Sequence, residues 1–349
     1  MRIITLGFFL LLLISNAFAQ DKLIFALDLI RHGDRTPIHS VPAATYQWPE
    51  GAGQLTTRGM AQEYQLGKKL RQYYIEKQHF LPEIYKSELM YVRSTDYDRT
   101  LMSAQAFLMG FYPAGNGPQG YQPIPIHTQP VDNDAIIPKQ LVCDSCKEDL
   151  FKKYVYPQKA WQQKQTQLMP KFKQWGQAIG SEIHELRQLA KLGDTFYIYQ
   201  QHHIPLPKDL SQQDIAEIIH EGNWALAHLF TPQSIGNNMG QGLLSLVTQY
   251  LQEGAKQQTP LKYVLLFGHD SSIMTLFSAM SAPLEEPPPY ASRVNFSLYE
   301  KSSGEHYVTV SYNDKSMAIP HCGKSECTLT TFSELAETAK SLAQAAATQ

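Results

Sequence analysis

The stretch Leu23-Ile24-Phe25-Ala26-Leu27-Asp28-Leu29-Ile30 runs straight into Arg31-His32-Gly33-Asp34-Arg35-Thr36-Pro37. An apolar run broken only by Asp28 reads as a strand buried on both faces, the habit of a parallel sheet. Downstream, Thr56 or Thr57 caps a helix whose apolar or small positions Met60, Tyr64, Gly67, Leu70 and Tyr74 keep a helical period. A short strand, Leu89 to Val92, stops at Arg93-Ser94-Thr95, and a helix follows from Arg99 to about Phe111. Strand, helix, strand, helix implies right-handed crossovers and an α/β sheet. The sheet resumes at Tyr263-Val264-Leu265-Leu266-Phe267 and stops at Gly268-His269-Asp270, where Ser271 or Ser272 starts another helix. Val294, Phe296 and Leu298 alternate with polar neighbours. A Ser302-Ser303-Gly304 turn and Tyr307 to Tyr312 follow, which predicts an antiparallel hairpin at a sheet edge.

Between these halves the character changes. Residues 112–142 are rich in Pro and Gly, with Ile124-Pro125-Ile126-His127 as a brief strand. From about 147 to 256, Gln and Lys abound and apolar residues such as Ile215, Ile218, Ile219 and Leu226 recur at helical spacing. The expected organisation is a signal segment at 1–19, an α/β catalytic core from 20–135 and 258–349, and an inserted all-helical cap at 136–257. Trp161 and Trp175 are read as cap packing, and His202-His203 as a loop without a ligand role. The sequon Asn295-Phe296-Ser297 falls in a strand and is discounted. The Ala-rich tail from Ala336 reads as a helix.

The chain has 349 residues with a formal net charge of −2, 43% hydrophobic and 18% charged. This is globular composition, with neither the polarity of a disordered chain nor the basic excess of a generic nucleic-acid binder. Arg2, the apolar run Phe8 to Ile14 and Ala17-Phe18-Ala19 match an export signal cleaved before Gln20. The run is shorter than the roughly 20 residues a bilayer span needs. The cysteines form two local pairs, Cys143 with Cys146 and Cys322 with Cys327. In an exported chain an even count suggests disulfides. A zinc site built from both pairs and a redox Cys-x-x-Cys remain as alternatives.

Three strand ends carry unusual polar residues: Arg31 to Pro37, then Arg93, then His269-Asp270. In open α/β sheets ligands bind beyond the carboxyl ends of the strands. If the strands are neighbours, three arginines, two histidines and an aspartate share one pocket. Guanidinium forks fit tetrahedral oxyanions, and a phosphate monoester is the natural guest. A histidine nucleophile would split one hard displacement into two. Arginines would stabilise charge on the equatorial oxygens, and a carboxylic acid would protonate the departing alkoxide. His32 lies between Arg31 and Arg35, whose charge opposes its protonation, so it stays nucleophilic in acid. Asp270 must be protonated to act, and a neighbouring phosphate raises its pKa. None of these parts calls for a metal or another cofactor.

The string Arg31 to Pro37 resembles the Arg-His-Gly-x-Arg-x-Pro signature of the histidine acid phosphatases, a branch of the histidine phosphatase superfamily. The likeness extends to Gly53-Gln54-Leu55-Thr56 with Gly59-Met60, Tyr91-Val92-Arg93-Ser94-Thr95-Asp96 with Asp98-Arg99-Thr100, Gln122 to His127, and Gly268-His269-Asp270. It is clear over about 23–145 and 261–330 and weak across the helical insertion. The resemblance implies a mixed, mostly parallel sheet flanked by helices, a phosphoglycerate mutase-like core with a helical cap. It implies His32 as the phosphorylated nucleophile, Arg31, Arg35, Arg93 and His269 as phosphate binders, and Asp270 as proton donor. It further implies small-molecule phosphate monoesters as substrates, no metal, and frequent homodimers. Cys322 and Cys327 fall where the group has a closely spaced disulfide. The Cys143/Cys146 pair departs from the group, whose corresponding region has one cysteine with a distant partner. The expected function is thus an exported acid phosphatase, periplasmic or secreted. Phytase-type activity on inositol phosphates is the alternative, which would require a wide basic mouth.

Overall fold

The computed structural model describes residues 21–115 and 117–347. The expected signal segment at 1–19 lies outside them. In chain order, β1 (Lys22–Arg31), α1 (Thr57–Arg71), β2 (Met90–Ser94) and α2 (Asp98–Phe111) come first. A helical stretch follows: α3 (Lys139–Val142), α4 (Asp144–Tyr154), α5 (Lys159–Ile179), α6 (Arg187–Gln201), α7 (Gln212–Phe230), α8 (Gln233–Ile235) and α9 (Gln241–Lys256). The chain then forms β3 (Tyr263–Gly268), α10 (Asp270–Ala279), β4 (Arg293–Glu300), β5 (His306–Tyr312), β6 (Lys315–Met317), β7 (Glu326–Thr328) and α11 (Leu329–Ala347). No helix among the described residues is long and apolar enough to cross a membrane.

The sheet has the order β2-β3-β1-β4-β5-β6, with β7 also pairing β5. β3 lies parallel to both β1 and β2, in the register Arg31↔Gly268 and Ser94↔Phe267. The carboxyl ends of all three strands therefore finish side by side. β4 and β5 extend the sheet antiparallel from β1. The hairpin read from the sequence thus holds, but β4 sits inside the sheet and β5 is covered by two further strands. The Ile124–His127 segment contributes one bridge, His127 to Arg93.

Alternation along the central strands separates two cores. Leu27, Leu29, Val264 and Leu266 face α9, α10 and α11, where they pack with Leu244, Phe277 and Phe332. Ala26, Ile30, Leu265 and Phe267 face α1 and α2, where they meet Leu70, Phe107 and Phe111. Asp28 shares the second face. Its carboxylate accepts from Tyr263 Oη at 2.5 Å and pairs with Arg293 at 3.0 Å. A polar residue in a buried strand is tolerated because both oxygens are satisfied. Asn295 of the formal sequon is buried in β4 and donates to Tyr74 Oη at 2.9 Å. A third core, built around Trp161, Trp175, Leu189 and Ile218, belongs to the helical stretch. Both tryptophans pack as expected.

Thr56 is the N-cap of α1, its hydroxyl accepting from the Gly59 backbone N–H. The buried face of α1 departs from the expected one only in its first half: Gly59 and Glu63 point inward in place of Met60 and Tyr64, which face solvent, while Gly67, Leu70 and, just beyond the helix, Tyr74 are buried as expected. Close approach of the 32–35 loop selects a glycine at 59 over a larger side chain. Both cysteine pairs close as local disulfides, Cys143–Cys146 and Cys322–Cys327. Such bonds persist in oxidising compartments outside the cytosol.

Candidate active site

The site assembles where β2, β3 and β1 end. His32 follows the last residue of β1, and its backbone N–H donates to Gly268 O of β3 at 3.0 Å. Gly33 then passes α1 so closely that a Cβ there would stand 2.4 Å from Gly59 O. Its N–H is held by Ser103 Oγ of α2 at 3.1 Å. The loop is thus pinned to β3 and to α1 and α2, and the imidazole has a fixed mount. His32 Nδ1 lies 2.8 Å from Gly33 O. A carbonyl only accepts, so Nδ1 carries the proton and the Nε2 lone pair is the basic one. Burial, with Arg31, Arg99, His269 and Arg35 around it, holds His32 well below the ordinary histidine range.

A cavity of about 170 Å³ opens on this ring, lined by His32, Arg35, Arg99, His269 and Asp270 among others. Arg31 reaches Asp270 Oδ2 at 2.7 Å, gives a second hydrogen bond to Pro288 O, and lies 4.3 Å above the Tyr290 ring. Arg35 is held by both carboxylate oxygens of Asp194 in α6, at 3.2 and 3.0 Å. Asp270 opens α10, where the helix N-terminus favours a carboxylate, and its Oδ1 accepts from the Ser271 N–H at 2.7 Å. Burial pushes this carboxyl up, but Arg31 and Arg35 outweigh it, and the net shift is downward. Without an anion in the site Asp270 is ionised, and the phosphate-induced rise expected from the sequence has to overcome that pair.

His269 sits edge-on to His32, ring centroids 5.5 Å apart. Its Nδ1 is 3.2 Å from Arg99 Nη2 and its Nε2 is 3.1 Å from Thr95 Oγ1. A guanidinium can only donate, so Nδ1 accepts and Nε2–H donates to Thr95. Burial and then Arg99 bring His269 down to about 3. The ring is neutral, and both its nitrogens are engaged in orienting neighbours.

Two expected phosphate ligands do not line the cavity: Arg31 is taken up by Asp270, Pro288 O and the Tyr290 ring, and Arg93 is carried away from the cavity. Arg93 binds Asp134 and, at 3.0 Å, Gln129 Oε1. Alternation explains this. Val92 belongs to the α1/α2 core, so Arg93 points to the opposite face of β2 and not out of the strand end. Arg99, in the first turn of α2, occupies the cavity wall instead and lies over the Tyr97 ring at 4.8 Å. The Asp98-Arg99-Thr100 string carries this signal, whereas strand-end position alone points to Arg93.

Further contacts lay outside the reach of local pattern. Asp194 comes from the helical stretch. His202, read as a bystander, caps α6 and bonds Asp34 Oδ2 at 2.7 Å, and Thr56 Oγ1 donates to the same oxygen at 2.5 Å. Tyr199 Oη and Thr195 Oγ1 of α6 donate to Ala44 O and His39 O. One face of α6 therefore clamps the 34–44 segment that follows His32.

The family model of the histidine phosphatase superfamily, branch 2, matches residues 22–313, spanning every strand end of the site. The chain belongs to that family. Among curated proteins, it is 32% identical to lysosomal acid phosphatase of Bos taurus over 341 residues, covering 90% of this chain and 77% of that one. It is 29% identical to prostatic acid phosphatase of Homo sapiens over 365 residues, covering 95% and 90%. Among solved structures, the histidine phosphatase fold described here aligns with Hafnia alvei phytase. The TM-score is 0.68, over 92% of this chain and 97% of that one, at 19% identity. That likeness shows a shared fold and no more.

Proposed function

We propose that this chain is an exported acid phosphatase that hydrolyses phosphate monoesters through a phosphohistidine at His32. The observation that carries the reading is the fixed tautomer of His32: an Nε2 lone pair among three guanidiniums, in a ring that burial keeps neutral in acid. Arg31, Arg35 and Arg99 bind the phosphoryl oxygens and stabilise them as charge spreads in the transition state. His269 holds Arg99 in place. Arg93 acts as a structural residue in this reading, and Arg99 takes the role the sequence had given it.

The chemistry balances in two displacements. A phosphate monoester loses its second proton near pH 6, so below that it enters as a monoanion still carrying one. Its oxygens take Arg31 from Asp270, and the freed carboxylate accepts that proton. His32 Nε2 attacks phosphorus as the bond to the leaving oxygen breaks, and Asp270 returns the proton to that oxygen. Water then attacks the phosphohistidine with Asp270 as base, releasing phosphate and the neutral imidazole. Acid dependence follows from the protonation state of the substrate and of Asp270.

Export is supported by the Arg2 to Ala19 pattern and by the two disulfides. The test of the covalent route is partitioning. With an added alcohol as acceptor, the ratio of phosphate transferred to phosphate released should be identical for several leaving groups, because all pass through one intermediate. A ratio that varies with the leaving group rules out a common phosphoenzyme.

A further inference from the structure

We infer that the leaving-group side of this site selects alcohols with an apolar surface, held by a rim of Ile38, Tyr97, Ile137, Leu141 and Val142. The inference rests on the phosphatase reading above and adds the class of substrate. The cavity, about 170 Å³, is smaller than the roughly 300–1,000 Å³ of pockets that enclose a whole drug-sized ligand. It takes the phosphoryl group and the first atoms of the ester, and the remainder of the leaving group must lie across the rim. Among the described residues, the lining carries cationic side chains only at Arg35 and Arg99, both within the phosphoryl pocket. A multiply phosphorylated ring would leave its other phosphates against hydrocarbon.

Rim residues come from separate segments. Ile38 follows the His32 loop, Tyr97 precedes α2, and Leu141 and Val142 end α3. Ile38 is 49% exposed and Val142 43% exposed. A single exposed aliphatic is ordinary on a protein surface. Here they converge on one opening beside the reacting atoms. α3 is also fixed: Gln140 Nε2 donates to Asn238 O at 2.9 Å, and the Cys143–Cys146 disulfide closes the turn directly after Val142. That disulfide stiffens the turn that leaves the rim.

A series of ethyl, butyl and hexyl phosphates tests this. Their alcohols share nearly one pKa, so the chemical step is constant and any trend in kcat/KM reports contacts. A methylene in a closed apolar pocket is worth roughly 10- to 200-fold, and an open rim should give about 10-fold across the whole series. Leu141→Ser should flatten the trend. So should Ile38→Ser, which alters a separate segment of the rim at an exposed position and keeps the test valid if the first variant misfolds. Cys143→Ser/Cys146→Ser should weaken it. A flat wild-type series, a trend intact in both rim variants, or a kcat/KM for inositol hexakisphosphate above that for hexyl phosphate would each overturn the inference. Failure to hydrolyse any ester is a different result. It would refute the phosphatase reading itself and the selectivity with it.

Discussion

Arg93 and Arg99 stand six positions apart, both arginine, both buried at least in part, and their replacement should have opposite consequences. Arg99→Ala removes a donor from the cavity wall and its contact with His269 Nδ1. Loss of one preorganised oxyanion donor costs about 10²- to 10³-fold in rate, or about 2.7–4 kcal/mol of transition-state stabilisation. Arg93→Met instead strands the carboxylate of Asp134, which is only 3% exposed. Breaking one side of a buried ion pair costs about 3–5 kcal/mol of stability. At about 2.1 cal/mol/K of unfolding entropy per residue, a chain of 349 residues shifts by about 1.4 °C per kcal/mol, so the melting temperature should drop by about 4–7 °C. The assay is kcat/KM on a simple aryl phosphate, at a temperature where both variants are folded, beside thermal unfolding of each. Arg99→Ala should be slow and nearly as stable as the parent. Arg93→Met should be unstable and retain at least a tenth of the activity. Adding Asp134→Asn to Arg93→Met should recover part of the lost stability, because the orphaned charge is gone. A stable Arg93 variant with a hundredfold loss of activity, beside an active Arg99 variant, would refute the assignment of these two side chains.

Asp270→Asn should lower kcat/KM, which reports the phosphorylation step, by about 10²- to 10⁴-fold for alkyl phosphates and much less for 4-nitrophenyl phosphate, since a good leaving group needs no proton; an equal fall in kcat/KM for both would count against proton donation. His269 remains neutral in the native state down to about pH 3, whereas in the unfolded chain it protonates near 6.5. The unfolded state thus gains protons first as pH falls, and this residue's effect on stability worsens from about pH 6.5 downward. Denaturant unfolding of His269→Gln at pH 7.5 and 4.5 should show a smaller acid loss than the parent, by roughly 2–3 kcal/mol; an unchanged difference would mean that the ring protonates within the native state. Because His32 is likewise held low, kcat/KM should not decline as pH is lowered through 6.5; an acid limb with an apparent pKa there would contradict a neutral nucleophile.

Much of this was legible in the chain because it is locally encoded. β1 and β3 announce themselves through apolar runs, interrupted in β1 only by Asp28, and each ends in residues a buried strand would not tolerate. Parallel neighbours then bring the 31–35 and 269–270 segments together. The N-cap of α1 is visible as Thr56, and both disulfides are visible as close cysteine spacings. Three features were not legible, for separate reasons. Arg93 satisfied the strand-end rule, but alternation within β2 turns it across the sheet toward Asp134, whose own place is set by an irregular loop. Glu63 lies on the buried face of α1 with both oxygens lacking a partner among the described residues. A hydrophobic-periodicity reading prefers Met60 and Tyr64, and cannot foresee that close backbone packing beneath the 32–35 loop selects Gly59. Burial raises the Glu63 carboxyl well above its usual range, so it sits there as a neutral acid. Asp194 and His202 are set by how α6 docks on the loop after His32, a long-range contact with no sequence period.

The most direct measurement is a rapid quench into base after mixing enzyme with substrate labelled in its phosphoryl group. The chemistry described here predicts acid-labile, base-stable label on one peptide, the one containing His32, and none in His32→Ala. Label on another residue, label persisting in that variant, or hydrolysis with no trapped phosphoenzyme at any quench time would contradict a nucleophilic His32.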